Sequence, residues 1–351
     1  MHIGIFDPYL ETLGGGERYM LTAASCLLKK HDVSLFWDDP VILKRQFERF
    51  HIDLSGIRVV PNLFGKTTSL IERLRLTRQY DAILFLTDGS IPIVGARNLI
   101  LHFQQPIPHP PRSWFHRLKK SRVAAVIVNS NFTKGFIDSG YRVNSFVLYP
   151  PVSEDFGTVQ IKEPLILSIG RFHPFKKHEV LIKAFTAYGS SFSGYKLVIA
   201  GGLLPQDSAY FHSLVKSIKG TGVTLMPNVS QETLKQLLSK AKLYWHAAGY
   251  GEREHIHPER FEHFGIAPVE AMASSVVPIV YNGGGLKEII THGIDGFYWQ
   301  TVSELVEITK TLIENPKALN KLSNESRKRS DRFSEANFCK ELSTILVLVV
   351  S

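Results

Sequence analysis

The stretch Glu262-His-Phe-Gly-Ile-Ala-Pro-Val-Glu270 reads as a loop that turns into a helix, with a carboxylate at either end. Gly265 permits a close backbone approach because it has no Cβ. Pro268 suits the first turn of a helix, where a missing N–H costs nothing. We therefore predict a helix from about Ile266 to Ser274. The free N–H groups at its start would attract an anion, most simply a phosphate.

The spacing of the two carboxylates indicates which ligand that phosphate belongs to. Glu262 precedes the helix start and Glu270 lies about one turn inside it, so the pair can contact opposite ends of one ligand with a phosphate in its middle. A sugar at one end and a ribose at the other fit this arrangement. An amphipathic helix with two solvated glutamates explains the same segment equally well, because short motifs also occur by chance.

Length and composition place this segment in a globular protein of about two domains. The chain has 351 residues, of which 44% are hydrophobic and 21% are charged, and this exceeds one typical domain core. Its longest apolar run, residues 345–350, is far shorter than the ~20 residues that a membrane-spanning helix needs. The first residues lack the pattern of a signal peptide, so we expect a cytoplasmic protein.

The cysteines and the histidine-rich loop do not predict a metal site or a disulfide framework. Cys26 and Cys339 are the only cysteines, and a reducing compartment is the default for such a chain. Residues 250–260 and His263 hold several histidines and glutamates, but their irregular spacing favours a solvated, mobile loop over a metal centre. Asp38 and Asp39 are adjacent and therefore do not form the separated Asp-x-Asp pair that chelates a metal–diphosphate.

Positive charge is concentrated in the first half of the chain. Residues 1–150 hold 19 Lys and Arg against 12 Asp and Glu, and the net charge of the whole chain is +9. Basic and apolar side chains alternate in one short segment: Arg112, Trp114, Phe115, Arg117, Leu118, Lys119, Lys120 and Arg122. This mixture is typical of a helix that rests on anionic lipid headgroups, although a solvated helix face is the alternative. No nucleic-acid-binding module is present, so we expect no nucleic-acid partner.

Strand and helix patterns alternate along the chain and restart once. The predicted strands are residues 2–6, 33–37, 82–87, 98–103, 124–129, 145–148, 165–169, 196–200, 223–226, 243–246 and 277–281. The pair Pro150-Pro151 interrupts the pattern and indicates a linker. We predict an α/β protein of two Rossmann-like domains, residues 1–150 and 151–333, that face each other across a cleft. Residues 303–349 read as helices, and the last of them, from about 334 to 351, would pack back on the first domain.

Glycine turns and cations follow several of these strands. Gly14-Gly15-Gly16 opens the first helix and lets backbone N–H groups approach a phosphate, although a plain flexible turn is an equal alternative. It lacks the Gly-x-Gly-x-x-Gly fingerprint of dinucleotide binding. Arg171 and Lys176 follow the first strand of the second domain, where they could bind a diphosphate and stabilise its departure. His102 ends a strand, where its imidazole could bind a sugar hydroxyl or lie near the reacting centre.

Together these motifs resemble the retaining glycosyltransferases of the GT-B fold, and the resemblance covers nearly all of the chain. Glu262 to Glu270 is similar to their Glu-x7-Glu motif, and Gly170-Arg171 with Lys176 resembles their diphosphate clamp. The segments that resemble mannosyltransferases of lipid-linked oligosaccharides are Gly14–Arg18, Leu101–Phe103, Val128–Thr133, Tyr149–Pro151 and His263–Ile266.

The resemblance implies a role for each candidate residue. Glu262 would contact hydroxyls of the donor sugar, Glu270 the ribose, and Arg171 with Lys176 the diphosphate. The other residues expected to contact the nucleotide sugar are Gly15, Gly16, Asn228, Val229, Phe264, Gly265 and Ile266. His102 would lie near the reacting sugar. No metal and no cofactor beyond the nucleotide-sugar donor are expected. Residues 250–260 depart from the family pattern, which leaves the identity of the donor open.

The sequence thus predicts a retaining hexosyltransferase that moves mannose from GDP-mannose to a hydroxyl of a glycan or lipid-linked acceptor. Its expected partners are that donor, that acceptor and an anionic membrane surface, at the inner face of the membrane. Three alternatives stay open. They are a UDP-sugar-dependent glucosyl- or N-acetylglucosaminyltransferase of the same fold, a non-catalytic sugar-nucleotide-binding subunit, and a nicotinamide-dependent dehydrogenase.

Overall fold

A computed structural model describes residues 1–12, 15–65, 67–111, 113–152, 161–192 and 194–350 of the chain, except the side chain of Arg49. The chain divides into two compact units. The first domain comprises Met1–Pro151 with Glu335–Ser351, and the second domain comprises Val152–Ser334. Each holds one parallel sheet flanked by helices, so the prediction of two Rossmann-like α/β domains is confirmed.

The first domain is built on a seven-stranded parallel sheet. Its strands are β1 (His2–Phe6), β2 (Asp32–Phe36), β3 (Arg58–Val60), β4 (Ala82–Leu86), β5 (Asn98–Phe103), β6 (Val123–Val128) and β7 (Phe146–Val147). Its helices are α1 (Gly15–Leu28), α2 (Ile42–Phe50), α3 (Leu70–Thr77), α4 (Trp114–Lys120) and α5 (Asn131–Tyr141). The strand order is β3-β2-β1-β4-β5-β6-β7. All five residues of β4 are buried, as expected for a central strand with both faces covered.

The second domain repeats this design with six strands. They are β8 (Leu165–Ile169), β9 (Lys196–Gly201), β10 (Val223–Pro227), β11 (Leu243–His246), β12 (Val277–Tyr281) and β13 (Phe297–Trp299). The helices are α6 (His178–Tyr188), α7 (Ser208–Ser217), α8 (Gln231–Lys240), α9 (Ile266–Ala273), α10 (Leu286–Ile289), α11 (Val302–Glu314) and α12 (Pro316–Ser330). The order β10-β9-β8-β11-β12-β13 brings β8 and β11 together at the centre of the sheet.

Every strand that the sequence predicts is present, and each boundary agrees within one residue. The sequence missed β3 and β13. Both have three residues and lie at an edge of their sheet. Strands this short show little hydrophobic period, although the pattern did reveal β7, which has only two residues and also lies at an edge.

Local capping explains where several helices begin. Side chains of Ser69, Ser130, Ser230 and Thr301 each accept a hydrogen bond from a backbone N–H three residues later, which satisfies a donor that the helix itself leaves open. The Ser69 cap sets the start of α3 at Leu70. Across the described ranges, no helix combines the length and apolar character needed to cross a membrane.

The last helix, α13 (Glu335–Val350), completes the core of the first domain. Its buried side chains Phe338, Leu342, Ile345 and Leu346 join the cluster formed by α1 and the sheet. A disulfide between Cys26 of α1 and Cys339 of α13 joins the two helices over a sequence separation of 313 residues. This corrects the expectation that the two cysteines form no disulfide. Their pairing depends on packing between the two ends of the chain, which cysteine spacing does not reveal.

We expect this disulfide to stabilise the first domain measurably. In oxidised protein, Cys339→Ser should lower the free energy of unfolding by about 2–4 kcal/mol, because the bond restricts the unfolded chain. Urea denaturation with and without dithiothreitol measures the effect, and Cys26→Ser serves as the matched variant. Reductant should destabilise the wild type and leave both serine variants unchanged. Equal stability of oxidised and reduced wild type would refute the bond.

Candidate nucleotide-sugar site

The loop after β8 carries Lys176 at the carboxyl edge of the second sheet. Pro174–Lys176 form a single 3-10 turn, and the ring Nδ1 of His173 caps its start by accepting a backbone N–H at 3.2 Å. Lys177 then takes the left-handed conformation, with φ of 55°, which L side chains rarely adopt. The chain reverses there, and the Lys176 side chain lies over Gly170.

Glycines hold the backbone around Glu262, just before α9. Gly265 caps that helix with φ of 118°, and a Cβ there would lie 2.7 Å from the Leu286 side chain. The Gly285 N–H donates to the carbonyl oxygen of Glu262 at 2.8 Å. A Cβ on Gly284 would approach the same oxygen to 2.3 Å. The glycine-rich turn after β12 therefore supports the Glu262 backbone, and larger residues cannot replace these glycines without movement.

The Glu262 carboxylate is the centre of the site. The Lys176 Nζ donates to its Oε2 at 2.6 Å, and the Nε2 of His246, the last residue of β11, lies 3.0 Å from the same oxygen. The side chains of Lys176 and Glu262 are 28% and 19% exposed, so water still reaches the pair. Because β8 and β11 are neighbours, their carboxyl ends bring these groups together.

Burial and charge act in opposite directions on this cluster. Burial alone would raise the pKa of Glu262, but the Lys176 ammonium and the His246 imidazole outweigh it and hold that pKa well below its ordinary value. Burial lowers the pKa of His246 despite its hydrogen bond to Glu262. At neutral pH the imidazole is therefore uncharged, and its Nε2–H donates to the ionised carboxylate.

Arg171 has a different partner in this structure. Its side chain is half exposed, and its Nε lies 3.9 Å from Oδ2 of Asp207. The Nε2 of His173 lies 3.8 Å from the other oxygen of the same buried carboxylate. The structure therefore brings Lys176 to Glu262 and places Arg171 beside Asp207, a residue that the sequence did not single out.

The other predicted contacts of the second domain lie along the same sheet edge or beside α9. Asn228, after β10, is exposed with φ of 52°, and its Oδ1 accepts the Leu203 N–H at 2.8 Å. Phe264 is 2% exposed and packs edge-on against Phe333, so its side chain is part of the hydrophobic core. Three predicted residues are partly exposed: Val229, Ile266 and Glu270.

In the first domain, the glycine turn packs against the loop after β5. Gly15 and Gly16 begin α1, whereas Leu13 and Gly14 lie outside the described residues. The Gln104 Nε2 donates to the Gly16 carbonyl at 3.1 Å, and a Cβ on Gly16 would lie 2.3 Å from the Gln104 Oε1. A larger residue at position 16 would therefore displace the Gln104 side chain, a contact that the sequence did not reveal.

His102 is fully buried near the end of β5. Its ring stacks on Tyr19 at 4.1 Å, and its Nδ1 lies 3.3 Å from the Ile127 carbonyl oxygen. Burial lowers the pKa of His102 to about 3, so the imidazole is neutral. When Nδ1–H donates to that carbonyl, Nε2 is an acceptor. This Nε2 has no partner among the described residues.

Sequence reasoning missed two residues that the geometry makes prominent, His246 and Glu252. His246 ends a predicted strand, the same signal that singled out His102. The Glu252 side chain is 12% exposed and pairs with Lys177 and Arg260, so residues 250–260 differ from the solvated loop expected of them. Within the described ranges, no group of three or more His, Cys, Asp or Glu side chains could hold a metal ion.

Two Rossmann-like domains, each built on one parallel sheet, are the GT-B fold of glycosyltransferases. The chain belongs to the family of glycosyl transferases group 1, whose family model matches residues 153–329, just over half of the chain.

Known proteins similar to this chain agree with that assignment. It is 29% identical to the GDP-Man:Man(3)GlcNAc(2)-PP-Dol alpha-1,2-mannosyltransferase of Dictyostelium discoideum over 241 residues, 62% of this chain and 45% of that relative. It is 28% identical to the O-antigen chain mannosyltransferase RfbU of Salmonella typhimurium, covering 63% of this chain and 64% of that relative. The chain thus spans less than two thirds of either relative. The crystal structure of Anabaena HepE with UDP and glucose shares the fold, with a TM-score of 0.77, 21% identity and 99% coverage of both chains.

We expect Lys176 and Glu262 to be energetically coupled. Lys176→Met and Glu262→Gln should each lower the free energy of unfolding by about 1–3 kcal/mol, because each leaves a partly buried charge or dipole without its partner. The double variant should lose less than the sum, with a coupling energy of about 1 kcal/mol. Urea denaturation of the four proteins at pH 7 measures this.

The coupling should also depend on pH in a defined direction. The pKa of Glu262 is depressed in the folded state, so the stabilisation is fully present above its ordinary value of 4.5 and fades as the pH falls through the folded pKa. Strict additivity of the two substitutions at pH 7 would contradict the pairing.

Proposed function

We propose that the protein is a retaining glycosyltransferase that transfers mannose from GDP-mannose to a hydroxyl of a glycan or lipid-linked acceptor. The observation that carries this proposal is the shared contact of Lys176 and His246 with the Glu262 carboxylate, at the carboxyl edge of the second sheet. A carboxylate suits sugar hydroxyls, and a lysine ammonium suits a diphosphate. Family membership and the mannosyltransferase names of the relatives support the same assignment.

Each candidate site residue has a separate role in the proposed transfer reaction. The Glu262 carboxylate accepts hydrogen bonds from sugar hydroxyls, and Glu270 in α9 accepts from the ribose. Lys176 supplies positive charge to the diphosphate, with Arg171 as a second cation once it leaves Asp207. The N-terminus of α9 at Gly265 adds backbone N–H donors. In the first domain, the Gly15–Gly16 backbone at the start of α1 offers N–H groups suited to a phosphate, and His102 offers an acceptor nitrogen suited to a sugar hydroxyl.

In the proposed transfer reaction, the bonds that break and form balance without an added reactant. The bond between the sugar C1 and the diphosphate oxygen breaks, and its electron pair leaves with the diphosphate. The acceptor oxygen bonds to C1 on the same face, which retains the anomeric configuration. The acceptor proton passes to an oxygen of the departing phosphate. Lys176 stabilises the charge that develops there, so its interaction is stronger in the transition state than in the ground state. The cations perform this role in place of a metal ion, and no cofactor is required.

The identity of the nucleotide distinguishes this proposal from its nearest rival. The name of the Dictyostelium relative includes GDP-Man as donor, whereas the Anabaena structure contains UDP. The two mannosyltransferase relatives are 29% and 28% identical over 62% and 63% of this chain, and that structure is 21% identical over 99% of it. We therefore favour GDP-mannose and keep UDP-glucose and UDP-N-acetylglucosamine as alternative donors.

A donor screen tests the proposal. GDP-mannose should release nucleotide, by transfer or slow hydrolysis, and GDP should raise Tm more than UDP or ADP, because a ligand stabilises the folded state that binds it. Lys176→Ala and Glu262→Ala should each lower kcat about 100-fold or more by removing transition-state contacts. Lys183→Ala, an exposed residue of α6, serves as the control with unchanged activity. EDTA should leave the rate unchanged.

Each alternative function has its own outcome in that screen. Turnover of a UDP-sugar alone would assign the rival donor. Nucleotide binding with no release from any donor would indicate a non-catalytic sugar-nucleotide-binding subunit. Binding of NAD in place of these nucleotides would indicate a dehydrogenase. Full activity of both alanine variants would refute the roles given to Lys176 and Glu262.

We also propose that helix α4 rests on an anionic membrane surface, at the inner face of the membrane. Trp114, Phe115 and Leu118 are 76%, 44% and 56% exposed, and Arg117 lies between them. A cavity of 310 Å³ beside the helix is lined mainly by apolar side chains. Exposed apolar groups flanked by cations suit the boundary between lipid headgroups and acyl chains. The name of the Dictyostelium relative includes a PP-Dol-linked acceptor, which supports a reaction on a lipid-linked substrate.

Substitutions on α4 and directly after it should weaken binding to lipid selectively. Lys120 is a poor choice for substitution, because its Nζ already donates to the Tyr141 and Arg142 carbonyl oxygens. Arg117→Gln combined with Arg122→Gln should reduce partitioning onto phosphatidylglycerol vesicles roughly 30-fold, since each cation near such a surface contributes about 1 kcal/mol.

The matched control carries the same loss of charge on another helix of the first domain. Lys44→Gln with Arg45→Gln, both exposed on α2, should leave vesicle binding almost unchanged. Sedimentation with anionic and neutral vesicles measures both variants. Equal losses in the two double variants would show a net-charge effect and reject α4 as the membrane contact.

A further inference from the structure

Residues 250–260 connect three loops of the candidate site. The segment follows β11 and precedes Glu262, and it is turned by the bonds from the Glu252 N–H to Gly249 and from the His257 N–H to Arg253. Two of its three acidic side chains are largely withdrawn from solvent: Glu252 is 12% exposed and Glu254 is 33% exposed, whereas Glu259 is 46% exposed. Glu252 and Glu254 make ion pairs with residues outside the segment or at its end.

Glu252 holds the loop that carries Lys176. Its Oε1 accepts from the Lys177 Nζ at 2.7 Å. Lys177 is the left-handed residue that ends the Pro174–Lys176 turn and begins α6. A lysine is disfavoured in this conformation relative to glycine, so the ion pair offsets a conformation that the backbone alone disfavours. The neighbouring Lys176 depends on that conformation for its direction.

The other oxygen of Glu252 connects the same loop to Glu262. Its Oε2 accepts from the Arg260 Nη1 at 3.0 Å, two residues before Glu262. The Arg260 guanidinium lies 5.5 Å from the centre of the Phe175 ring, which belongs to the Lys176 turn. One carboxylate thus connects the backbone on either side of the Lys176–Glu262 pair.

Glu254 makes the third connection, to the glycine turn after β12. It accepts the Gly284 N–H at 2.9 Å and pairs with the Lys287 Nζ at 2.8 Å. That turn bonds the Glu262 carbonyl oxygen. Residues 250–260 therefore contact every loop that positions the pair, although none of their side chains is needed to contact a donor.

We infer that Glu252 is a positioning residue for the donor diphosphate, which it serves by holding Lys177 and Arg260 so that Lys176 stays directed at the site. This inference rests on the proposed function, in which Lys176 binds the diphosphate. It assigns residues 250–260 the role of positioning the loops of the candidate site within the second domain. In this role Glu252 acts through Lys177 and Arg260 and does not need to contact the nucleotide.

The test measures binding of a nucleoside diphosphate in two backgrounds. GDP and UDP are titrated by calorimetry into the wild type, Glu252→Gln, Lys176→Met and the double variant. Glu252→Gln should lower the affinity for whichever nucleotide binds by roughly fivefold or more. In the Lys176→Met background the same substitution should lower that affinity by less than twofold, because Glu252 acts through Lys176. Glu259→Gln is the control, since Glu259 also lies beside Arg260, at 3.6 Å, and forms no ion pair with Lys177.

A second variant isolates the backbone conformation. Lys177→Gly removes the ion pair and also permits the left-handed conformation without strain, so adding it to Glu252→Gln should restore part of the lost affinity. Hydrogen exchange of the peptide around residues 171–178 should be faster in Glu252→Gln and slower again in that double variant. Unfolding curves confirm that all variants are folded.

The outcomes separate the inference from the proposed function. Lys176-dependent nucleotide binding with full affinity in Glu252→Gln would overturn the inference alone. An equal loss in the wild-type and Lys176→Met backgrounds would overturn it as well, because it would indicate general destabilisation. Failure of the wild type to bind either nucleotide would instead overturn the proposed function.

Discussion

The contact of Lys176 and His246 with one oxygen of Glu262 is the interaction on which the candidate site depends. A carboxylate that is only 19% exposed needs partners to remain ionised. Lys176 lies in the loop after β8 and His246 ends the neighbouring strand β11, so the site exists only where the parallel sheet brings the carboxyl ends of these strands together. Parallel sheets place ligand sites at this edge for the same reason.

Polar side chains and glycines have complementary roles around that contact. Gly265, Gly284 and Gly285 allow backbones to approach Glu262 and α9 more closely than any Cβ permits. Glu252 and Glu254 then connect the loops through ion pairs. A free carboxylate near the pair would repel Glu262, but each of these two glutamates is neutralised by a lysine or an arginine. The result is a set of loops that hold a charged pair in place without requiring a bound ligand.

The first domain shows the same dependence on distant parts of the chain. Helix α13 comes from the end of the sequence, yet Phe338 and Leu342 complete the core around α1. Tyr19 of α1 packs on Phe338 with one edge and stacks on His102 with its face. The environment of the candidate histidine therefore depends on the last helix. A substitution of Phe338 in α13 can therefore alter the surroundings of His102 through the Tyr19 side chain.

The sequence by itself determined the alternation of strands and helices, the two-domain division, the helix after Glu262, and Lys176 and Glu262 as candidates. These follow from hydrophobic period, proline and glycine positions, and the chemistry of short motifs, all of which are local. Only the tertiary structure decided that His246 joins Glu262, that Arg171 lies beside Asp207, and that Cys26 meets Cys339. The short edge strands β3 and β13 also became visible only there. These features depend on contacts between residues far apart in the chain, and such contacts leave no periodic or spacing signal in a single sequence.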